Sequence, residues 1–337
     1  MTYNGFEIDM LDVGDADCVL VTRWRDGWPW RVLIDGGNKT DAATVRAFLQ
    51  RRGINRIHHV VCSHPHDDHA GGLVDVVADR SIRFDCGWMH MPWLHMDEKA
   101  VKKALGLSNG LQEAIRFEKS LETATSLYDV FVTRGILVFE PFAGEEIAFL
   151  QVCGPTEAYY EELLGAFADV DRIRSRQESH SRALSMEAIG EMILQKAATA
   201  TKTHSLLDDP RTSPENNSST VLEAIVNGGK YLLTADAGAQ ALALAADLYD
   251  LENCHCMHIP HHGSRRNITM ALIEHFRPSV AFISASGSKK HPRRAVVNAF
   301  KKAGARVYST HYPTPGHIWH HRGTVPPRSD YAPFPGL

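Results

Sequence analysis

The segment His64–His69 combines three histidines and two aspartates within six positions, directly after the apolar run His59–Cys62. Such a run is typical of a short buried strand, and side chains in a tight loop at its end can converge on one point. Imidazole and carboxylate groups are good ligands for zinc, manganese and iron. Gly71 and Gly72 follow, and we expect them to let the backbone turn sharply before the next element. The density of ligand groups favours a metal site over a histidine-rich surface loop.

Two later segments place the same kinds of side chain after apolar runs. Tyr231–Thr234 runs into Asp236, and Cys254–Ile259 runs into His261 and His262. Sheets in α/β proteins usually place their sites just past the carboxyl ends of strands. An aspartate in this position can bridge two metals, and a histidine can complete the second. For Asp236 the alternative is an N-cap of the following helix.

The elements that must carry these groups alternate between strands and helices in the second half of the chain, which predicts an α/β layer architecture. The predicted strands are Phe6–Leu11, Asp17–Thr22, Trp30–Ile34, His59–Cys62, Ile136–Phe139, Ile147–Cys153, Thr220–Val226, Tyr231–Thr234, Cys254–Ile259, Val280–Ser284 and Arg306–Ser309. The predicted helices are 41–52, 97–133, 238–248, 269–276 and 293–303. Residues 155–215, with a predicted helix at Ser181–Lys196, have the pattern of a helical insertion ending in a polar loop.

Length and composition limit the class of protein. A chain of 337 residues is long enough to bury a substantial core. The formal net charge of −4 argues against a general polyanion binder, so any nucleic-acid contact needs a local basic patch. The six cysteines are scattered, which predicts reduced thiols. With no signal-peptide pattern and no long apolar run, we expect a cytoplasmic protein that does not enter a membrane.

Several motifs occur in one order along the chain. They are Leu11-Asp12-Val13-Gly14, Ile34-Asp35-Gly36-Gly37, Ser63-His64-Pro65, Asn217-x-Ser219, Leu233-Thr234-Ala235-Asp236 and His261-His262-Gly263-Ser264. Together with His64-x-His66-x-Asp68-His69 they resemble the metallo-β-lactamase superfamily, and within it the metallo-β-lactamase-like domain of the DNA-uptake competence protein and its free-standing relatives. The resemblance covers about residues 5–75 and 216–315. It implies one four-layer αββα sandwich domain, and the helical insertion predicted at about 155–215 lies outside the part that it covers.

The resemblance also implies two divalent metal ions, Zn²⁺ or Mn²⁺. The residues at matching ligand positions are His64 and His66 for the first metal, Asp68, His69 and His261 for the second, and Asp236 as the bridge. The residues at matching supporting positions, where hydrogen bonds orient ligand histidines, are Asp12, Asp17 and Asp35.

One ligand position departs from the common pattern of the superfamily. Many members have another histidine just before the strand that begins here at Thr220, where this chain reads Glu215–Ser219. Either Asn217 or Ser219 helps to hold the first metal, or that metal is weakly held, or one metal alone is tight.

The implied chemistry is attack on a phosphodiester by a metal-bridged hydroxide, because metal coordination lowers the pKa of water toward about 7. Asp68 would be essential to this reaction. His262, or else His291, would protonate the leaving oxygen. The residues expected to steady the phosphate are Ser264, Arg265, Arg266 and Lys290.

A run of cations near the end of the chain supports an anionic substrate. Its members are Lys289, Lys290, Arg293, Arg294, Lys301, Lys302 and Arg306. We expect them to flank a strand end near the metals and to follow a nucleic-acid backbone. The alternative is a solvated helix face. Trp88, Trp93 and Trp319 would stack on bases or, alternatively, pack in the core.

A phosphodiesterase or nuclease is therefore the first hypothesis, with nucleic acid or another phosphodiester as substrate. A hydrolase of a lactone, thioester or β-lactam is the second, and it would need an apolar pocket rather than a basic track. A non-catalytic binding module is third, because its ligand residues need not have stayed intact. Residues 155–215 suit either a substrate lid or a docking surface for a protein partner.

Overall fold

A computed structural model describes residues 2–95, 111–167, 206–207, 210–288, 290–311 and 316–328. Within these ranges the chain forms two seven-stranded sheets that pack face to face between layers of helices. The predicted helix Ser181–Lys196 and the basic residue Lys289 lie outside the described residues.

The first sheet combines the first six strands with the last one. Its strands are β1 (Asn4–Met10), β2 (Val19–Arg25), β3 (Trp28–Ile34), β4 (Arg56–Val61), β5 (Arg83–Trp88), β6 (Leu137–Phe139) and β14 (Ile318–Thr324). They lie in the order β14-β1-β2-β3-β4-β5-β6. The pairs from β14 to β3 are antiparallel, and those from β3 to β6 are parallel.

The second sheet is formed by the intervening strands. They are β7 (Glu146–Ile147), β8 (Leu150–Gly154), β9 (Val221–Val226), β10 (Gly229–Leu233), β11 (Cys256–His258), β12 (Val280–Ile283) and β13 (Arg306–Ser309). Their order is β13-β12-β11-β10-β9-β8-β7, with β10 to β13 parallel.

Helices cover the outer face of each sheet. They are α1 (Ala42–Arg51), α2 (Asp67–Ala78), α3 (Pro92–His95), α4 (Leu111–Thr133), α5 (Glu157–Phe167), α6 (Pro214–Asn217), α7 (Ala239–Leu248), α8 (Met270–Phe276) and α9 (Arg294–Lys302).

The alternation of side chains along the strands produces three apolar layers. Phe6, on β1, is buried between the sheets with Tyr231 and Phe282 of the second sheet. Leu20 and Leu33 instead face α1, α2 and α4 on the outer side. A third cluster packs the second sheet against its own helices. The four-layer αββα sandwich that the sequence predicts is therefore confirmed.

The strand directions bring the ligand-bearing loops to one edge. β3 and β4 are parallel and end at Ile34 and Val61. In the second sheet, β10, β11 and β12 are parallel, so the loops that follow them leave from the same edge as one another. The carboxyl ends of these strands are where an α/β sheet places a site.

The expectation of a sharp turn at Gly71 and Gly72 is wrong. Both glycines lie inside α2, whose N-cap is His66. A Cβ on Gly72 would come within 2.0 Å of the carbonyl oxygen of Gly36 and one on Gly71 within 3.0 Å of the Lys39 nitrogen. The glycines are needed because α2 packs directly against the backbone of the loop after β3.

Most predicted elements coincide with observed ones within a few residues. The helix predicted at 41–52 is α1, and the helical pattern at 97–133 contains α4. Of the insertion at 155–215, the structure describes residues 155–167, 206–207 and 210–215. Among the described helices, none is long and apolar enough to cross a membrane.

Candidate metal centre

The predicted metal-binding segment follows the end of β4 and includes the first turn of α2. His64 is 1 % exposed and His69 is fully buried, while His66 caps the helix. Asp67 and Asp68 lie in the first helical turn, where the positive end of the helix dipole favours carboxylates. Thr123 of α4 donates a hydrogen bond to Asp67 at 2.8 Å, so Asp67 faces away from the site and Asp68 faces into it.

Asp236 lies between two groups of imidazoles. Its Oδ1 is 3.3 Å from His69 Nε2 and 4.0 Å from His262 Nε2. Its Oδ2 is 3.6 Å from His261 Nε2 and 4.0 Å from His64 Nε2. The alternative role as an N-cap does not hold, because Gly238 is the N-cap of α7. The carboxylate is 1 % exposed and has the position of a bridge.

One group of ligand atoms contains Asp68, His69, Asp236 and His262, all within 4.8 Å of one another. Asp68 Oδ2 lies 3.4 Å from His262 Nε2 and 3.9 Å from His69 Nε2. His262, which the sequence suggested as an acid, is thus part of the cluster that contains Asp68 and His69.

A second group contains His64, His66 and Asp236. His64 Nε2 and His66 Nδ1 are 3.1 Å apart. His261, which the sequence assigned to the second metal, approaches the Asp236 oxygen on this side. His261 and His262 have left-handed φ angles of 49° and 53°, and this backbone directs the two neighbouring rings to opposite sides of Asp236.

Hydrogen bonds from the outer ring nitrogens leave the inner nitrogens free to coordinate a metal. His69 donates Nδ1–H to Asp35 Oδ2 at 2.8 Å, and His262 donates Nδ1–H to the Ser284 carbonyl at 3.0 Å. His64 donates Nδ1–H to the Ser63 hydroxyl, which itself donates to Asp35 at 2.6 Å. In each case the Nδ1 contact leaves Nε2 as the atom that faces the site, and a metal would displace any proton that this atom carries.

The buried polar atoms of the site fit divalent metals. His69 Nε2, His262 Nε2 and Asp236 Oδ1 are buried and have no hydrogen-bond partner among the described residues. Buried polar atoms normally find a partner, and three converging lone pairs are what a cation would satisfy. The nitrogen and carboxylate donors suit zinc or manganese.

The electrostatics of the site follow from burial and from four carboxylates. Burial lowers the pKa of His262, but Asp236, Asp68 and Asp17 outweigh it and raise that pKa to about 9. Burial also opposes the charge on His69, and Asp236, Asp35 and Asp68 raise its pKa well above the usual value. Without a metal, the cluster therefore holds protons where the metal would bind.

The supporting aspartates differ in what they touch. Asp35 accepts hydrogen bonds from His69, the Ser63 hydroxyl and the Ser63 backbone N–H. Asp17 is buried behind the cluster, with Oδ1 3.5 Å from His258 Nε2 and 3.6 Å from His262 Nδ1. Asp12 instead donates its backbone N–H to His317.

Asn216, rather than Asn217, reaches the ligand histidines. The Asn216 amide nitrogen lies 2.9 Å from His261 Nδ1, which also lies 3.1 Å from Asn267 Oδ1. The Asn217 side chain packs against Gly238, where a Cβ would come within 2.2 Å of its Oδ1. Ser219 is buried next to Thr220, whose backbone N–H donates to Ser63.

His291 lies on the loop between β12 and α9, beside the two histidines of the β11 loop. Its ring centroid is 5.5 Å from that of His261 and 6.0 Å from that of His262. The residue is 4 % exposed, and neither ring nitrogen has a hydrogen-bond partner among the described residues. Burial, with His261, His262 and Lys290, lowers the pKa of His291 to about 3. His291 is therefore neutral at pH 7.

A clamp built on Asp15 holds this loop in place. Asp15 accepts hydrogen bonds from the Ser286 N–H at 2.8 Å and from the Ser288 hydroxyl at 3.0 Å. The Ser288 oxygen accepts in turn from the N–H groups of Lys290 and His291, at 3.1 and 3.2 Å. The clamp thereby fixes the position of His291 beside the metal ligands.

The run of cations does not form one track along the site. Lys290 and Arg294 are exposed near the end of β12 that faces the metal centre. Arg306 is in register with Val280, the first residue of β12, and so lies at the opposite end. Lys301 and Lys302 end α9, about 12 Å along the helix axis from Arg294. The expectation that all these cations flank the metals is wrong, because it ignored strand and helix direction.

The remaining phosphate-binding candidates lie on the loop after β11. Ser264 is 6 % exposed, and its hydroxyl accepts from the Arg266 N–H at 3.2 Å. Arg265 and Arg266 are half-buried. This loop leaves the same edge as the metal ligands.

The three tryptophans suggested for base stacking are packing residues. Trp88 and Trp319 are 7 % and 4 % exposed, and their indole N–H groups donate to His59 and Glu7. Trp93 packs edge to face on Tyr128, with centroids 5.3 Å apart. The alternative that the sequence left open, core packing, is the one observed.

Sequence reasoning missed several residues that contact the candidate ligands or the groups that support them. They are Asp15, Asn216, His258, Asn267 and Ser284. His258 and Ser284 fall inside or at the end of predicted strands, so their proximity to a site was available. The others lie in polar loops without a distinguishing pattern.

Comparison with known families agrees with this geometry. Residues 30–288 match the model of the metallo-β-lactamase superfamily. The chain therefore belongs to this superfamily and is a metal-dependent hydrolase. No curated protein matches the chain in sequence.

Solved structures resemble the chain at low identity. A diphosphatase of the PhnP family is 13 % identical, with a TM-score of 0.43 over 95 % of this chain and 98 % of that one. The metallo-β-lactamase fold protein YhfI from Bacillus subtilis is 9 % identical, with a TM-score of 0.46 over 94 % and 100 %. The dizinc quorum-quenching lactonase AidC is 13 % identical, with a TM-score of 0.34 over 90 % and 74 %.

Replacing Asp35 with asparagine is expected to weaken metal binding by about 10- to 100-fold. Asp35 Oδ2 accepts from both Ser63 and His69, and an amide group there would present N–H to one of them. Competition with a chromogenic chelator measures the affinity. Asp85→Asn, which changes a carboxylate bonded to Arg56 and Arg83, is the matched control. Equal affinities in the two variants would show that Asp35 does not orient His69.

Proposed function

We propose that this hydrolase cleaves phosphodiester bonds, with a nucleic acid as its substrate. The observation that carries the proposal is the combination of a bridged two-site ligand cluster with basic side chains at its mouth. Lys290 and Arg294 are exposed there, and Arg265 and Arg266 lie on the loop that follows the ligand histidines. An anionic substrate would be attracted to these groups and held at the centre. The order of motifs that resembles the DNA-uptake competence protein supports the same choice.

The proposed ligand sets differ from those suggested by sequence. His64, His66 and His261 would hold the first ion, with Asp236 Oδ2 facing it. Asp68, His69 and His262 would hold the second, with Asp236 Oδ1 facing it. In this assignment His261 takes the place of the third ligand that the sequence left open. His262 then serves as a ligand and not as the acid.

When bound, the two ions supply a nucleophile from water at neutral pH and neutralise charge that develops on the phosphate. The protein orients the imidazoles of His69, His262 and His261 through Asp35, Ser284 and Asn267, respectively. His291 is neutral at pH 7, so we assign it hydrogen-bond donation to the phosphate or leaving oxygen rather than transfer of a stored proton. The Asp15 clamp positions His291 for this role.

The proposal is tested by cleavage of labelled single- and double-stranded DNA and RNA with added Mn²⁺ or Zn²⁺. We expect cutting that is abolished by a chelator and by Asp68→Ala. If no nucleic acid or bis(p-nitrophenyl) phosphate is hydrolysed, while a lactone or thioester is opened, the substrate class is wrong.

Metal affinity is expected to rise with pH up to about pH 9. Burial lowers the pKa of His262 but its carboxylate neighbours raise it to about 9, so below that pH the metal must displace a proton. Each displaced proton costs about tenfold in affinity per pH unit, so affinity should fall at least about 100-fold between pH 9 and pH 7. The raised pKa of His262 also stabilises the metal-free fold. This contribution is full below pH 6.5, the pKa of His262 in the unfolded chain, and it is lost as the pH rises through 9. Isothermal titration with Zn²⁺ across this range measures the effect, and a flat profile would contradict it.

Substituting Lys290 and Arg294 by alanine together is expected to raise KM for a dinucleoside phosphate by about tenfold at low salt. Both side chains are exposed at the end of β12 nearest the metal centre, and their attraction is screened as salt increases. kcat should change little. Lys301→Ala with Lys302→Ala is the matched control, since it removes the same charge from the far end of α9. Equal KM changes in the two double variants would show that Lys290 and Arg294 do not attract the substrate to the site.

A further inference from the structure

Two tryptophans are exposed at the end of the first sheet opposite the metal centre. Trp28 is 75 % exposed and Trp30 is 46 % exposed, and both belong to β3. Trp28 lies six residues before Ile34, at which β3 reaches the metal edge, a distance of about 20 Å. Large aromatic side chains are rarely left this exposed on a free protein surface, and those that are often mark a binding site.

Two arginines lie opposite these tryptophans on the neighbouring strand. In the antiparallel register of β2 and β3, Arg23 pairs with Trp30 and Arg25 pairs with Trp28. Directly opposed residues project from the same face, so guanidinium and indole groups share one surface. Arg23 is also directly opposite Phe6 of β1, which lies in the core between the sheets. The arginines and tryptophans therefore continue the inner face of the first sheet, the face that packs on the second sheet.

The arginines have no acidic partner among the described residues. Arg23 Nε is buried without a hydrogen-bond partner. Burial and the charge of Arg25 lower the pKa of Arg23. Asp26, the neighbouring acid in the turn, forms no ion pair with either arginine among the described residues. The two cations therefore lie together, and within the part of the chain that the structure describes no carboxylate forms an ion pair with either.

The surface is held rigid by its own contacts. Asp26 and Gly27 form a tight turn with positive φ angles of 51° and 84°, which fixes Trp28 at the start of β3. Trp30 lies over the ring of His58, with centroids 4.7 Å apart and planes inclined by 33°. A preorganised aromatic ring loses little entropy when a flat group stacks on it.

From this juxtaposition we propose that Arg23, Arg25, Trp28 and Trp30 form a binding surface for single-stranded nucleic acid. Bases stack on aromatic side chains without sequence preference, while arginines contact the phosphates between them. The charge favours a polyanion, and the flat indoles favour one with planar groups over an acidic peptide. Binding at this surface is a separate property from the hydrolysis proposed for the metal centre. It does not require that hydrolysis, because the surface and the metal centre lie at opposite ends of β3.

The test is titration of the full chain carrying Asp68→Ala, which prevents cleavage, with a thymidine oligonucleotide. We expect quenching of tryptophan fluorescence. Trp28→Ala with Trp30→Ala should remove most of the quenching and weaken binding by about tenfold or more. Arg23→Ala with Arg25→Ala should reduce the slope of log affinity against log salt by about 1.4.

Controls separate stacking and charge from changes in folding. Trp28→Phe with Trp30→Phe should retain much of the affinity. Lys301→Ala with Lys302→Ala, which removes two exposed cations from a helix beside the second sheet, should leave the salt slope unchanged. In the chain with Asp68 intact, the alanine pair at 28 and 30 should hydrolyse bis(p-nitrophenyl) phosphate at the rate of the unsubstituted protein. Unchanged oligonucleotide affinity in the alanine variants would overturn the proposal, as would equally tight binding of poly-glutamate. Either result would leave the proposed hydrolysis untouched.

Discussion

Replacing Asp236 with alanine is expected to lower phosphodiester hydrolysis by about 10³-fold or more, because both proposed ions lose the ligand that they share. The two oxygens of this carboxylate face different groups of imidazoles, His69 and His262 on one side and His64 and His261 on the other. Metal content, measured by inductively coupled plasma mass spectrometry, should fall from two ions per chain to one or none. Hydrolysis of bis(p-nitrophenyl) phosphate measures the rate.

The control for this variant is Asp67→Ala. Asp67 is next to Asp68 in the sequence, but its carboxylate accepts a hydrogen bond from Thr123 on the other side of α2. We expect its metal content to match the unsubstituted protein. Circular dichroism should show that both variants keep the fold. Full activity in Asp236→Ala with two bound ions would show that Asp236 is not the bridge.

The second large effect is expected for Gly72→Ala, which should destabilise the fold by about 3 kcal/mol or more. The added Cβ would come within 2.0 Å of the Gly36 oxygen and 2.9 Å of the Asn38 oxygen, so backbone must move on one side or the other. Gly36 follows Asp35, and α2 carries Asp68 and His69, so the shift would also separate the ligands from their support. Urea unfolding measures the stability, and metal titration measures the site.

Gly71→Ala gives a graded comparison in the same helix. Its Cβ would meet the Lys39 nitrogen at 3.0 Å, which the loop can accommodate by a small movement. We expect a distinctly smaller loss of stability than for Gly72→Ala. If both alanine variants unfold at the same urea concentration as the unsubstituted protein, the close approach of α2 to the β3 loop does not limit stability.

The sequence predicted the fold class and the participants of the cluster because both depend on local patterns. Apolar runs ending in His64, Asp236 and His261 indicate strands that deliver ligands, and parallel strands bring such ends to one edge. The glycines after His69 misled the prediction, since glycine is required both at sharp turns and where two backbone segments pack closely. Gly72 is required by the proximity of Gly36, which is distant in sequence.

Sequence patterns could not show on which side of Asp236 each candidate ligand lies. His261 and His262 are adjacent, and their separation around Asp236 depends on left-handed backbone angles at both residues. The run of cations shows the same limit. Whether Arg306 lies near Arg294 or a strand length away depends on the register of β13 with β12, which the sequence does not display.

The exposed aromatic surface was likewise hidden. Trp88, Trp93 and Trp319 drew attention as stacking candidates but are packing residues, whereas Trp28 and Trp30 are exposed. Their neighbours in the sequence do not separate them, because Trp319 is buried although His320 and His321 follow it, and Trp30 is exposed although Val32 and Leu33 follow it closely. Composition alone does not separate a core tryptophan from a surface one.

The positions of the two ions can be measured by anomalous diffraction from crystals grown with Zn²⁺ or Mn²⁺. We expect two peaks, one among His64, His66 and His261 and one among Asp68, His69 and His262, with Asp236 between them. A single peak, or a second peak that contacts His261 in place of His262 beside Asp68, would contradict the ligand sets proposed from this geometry.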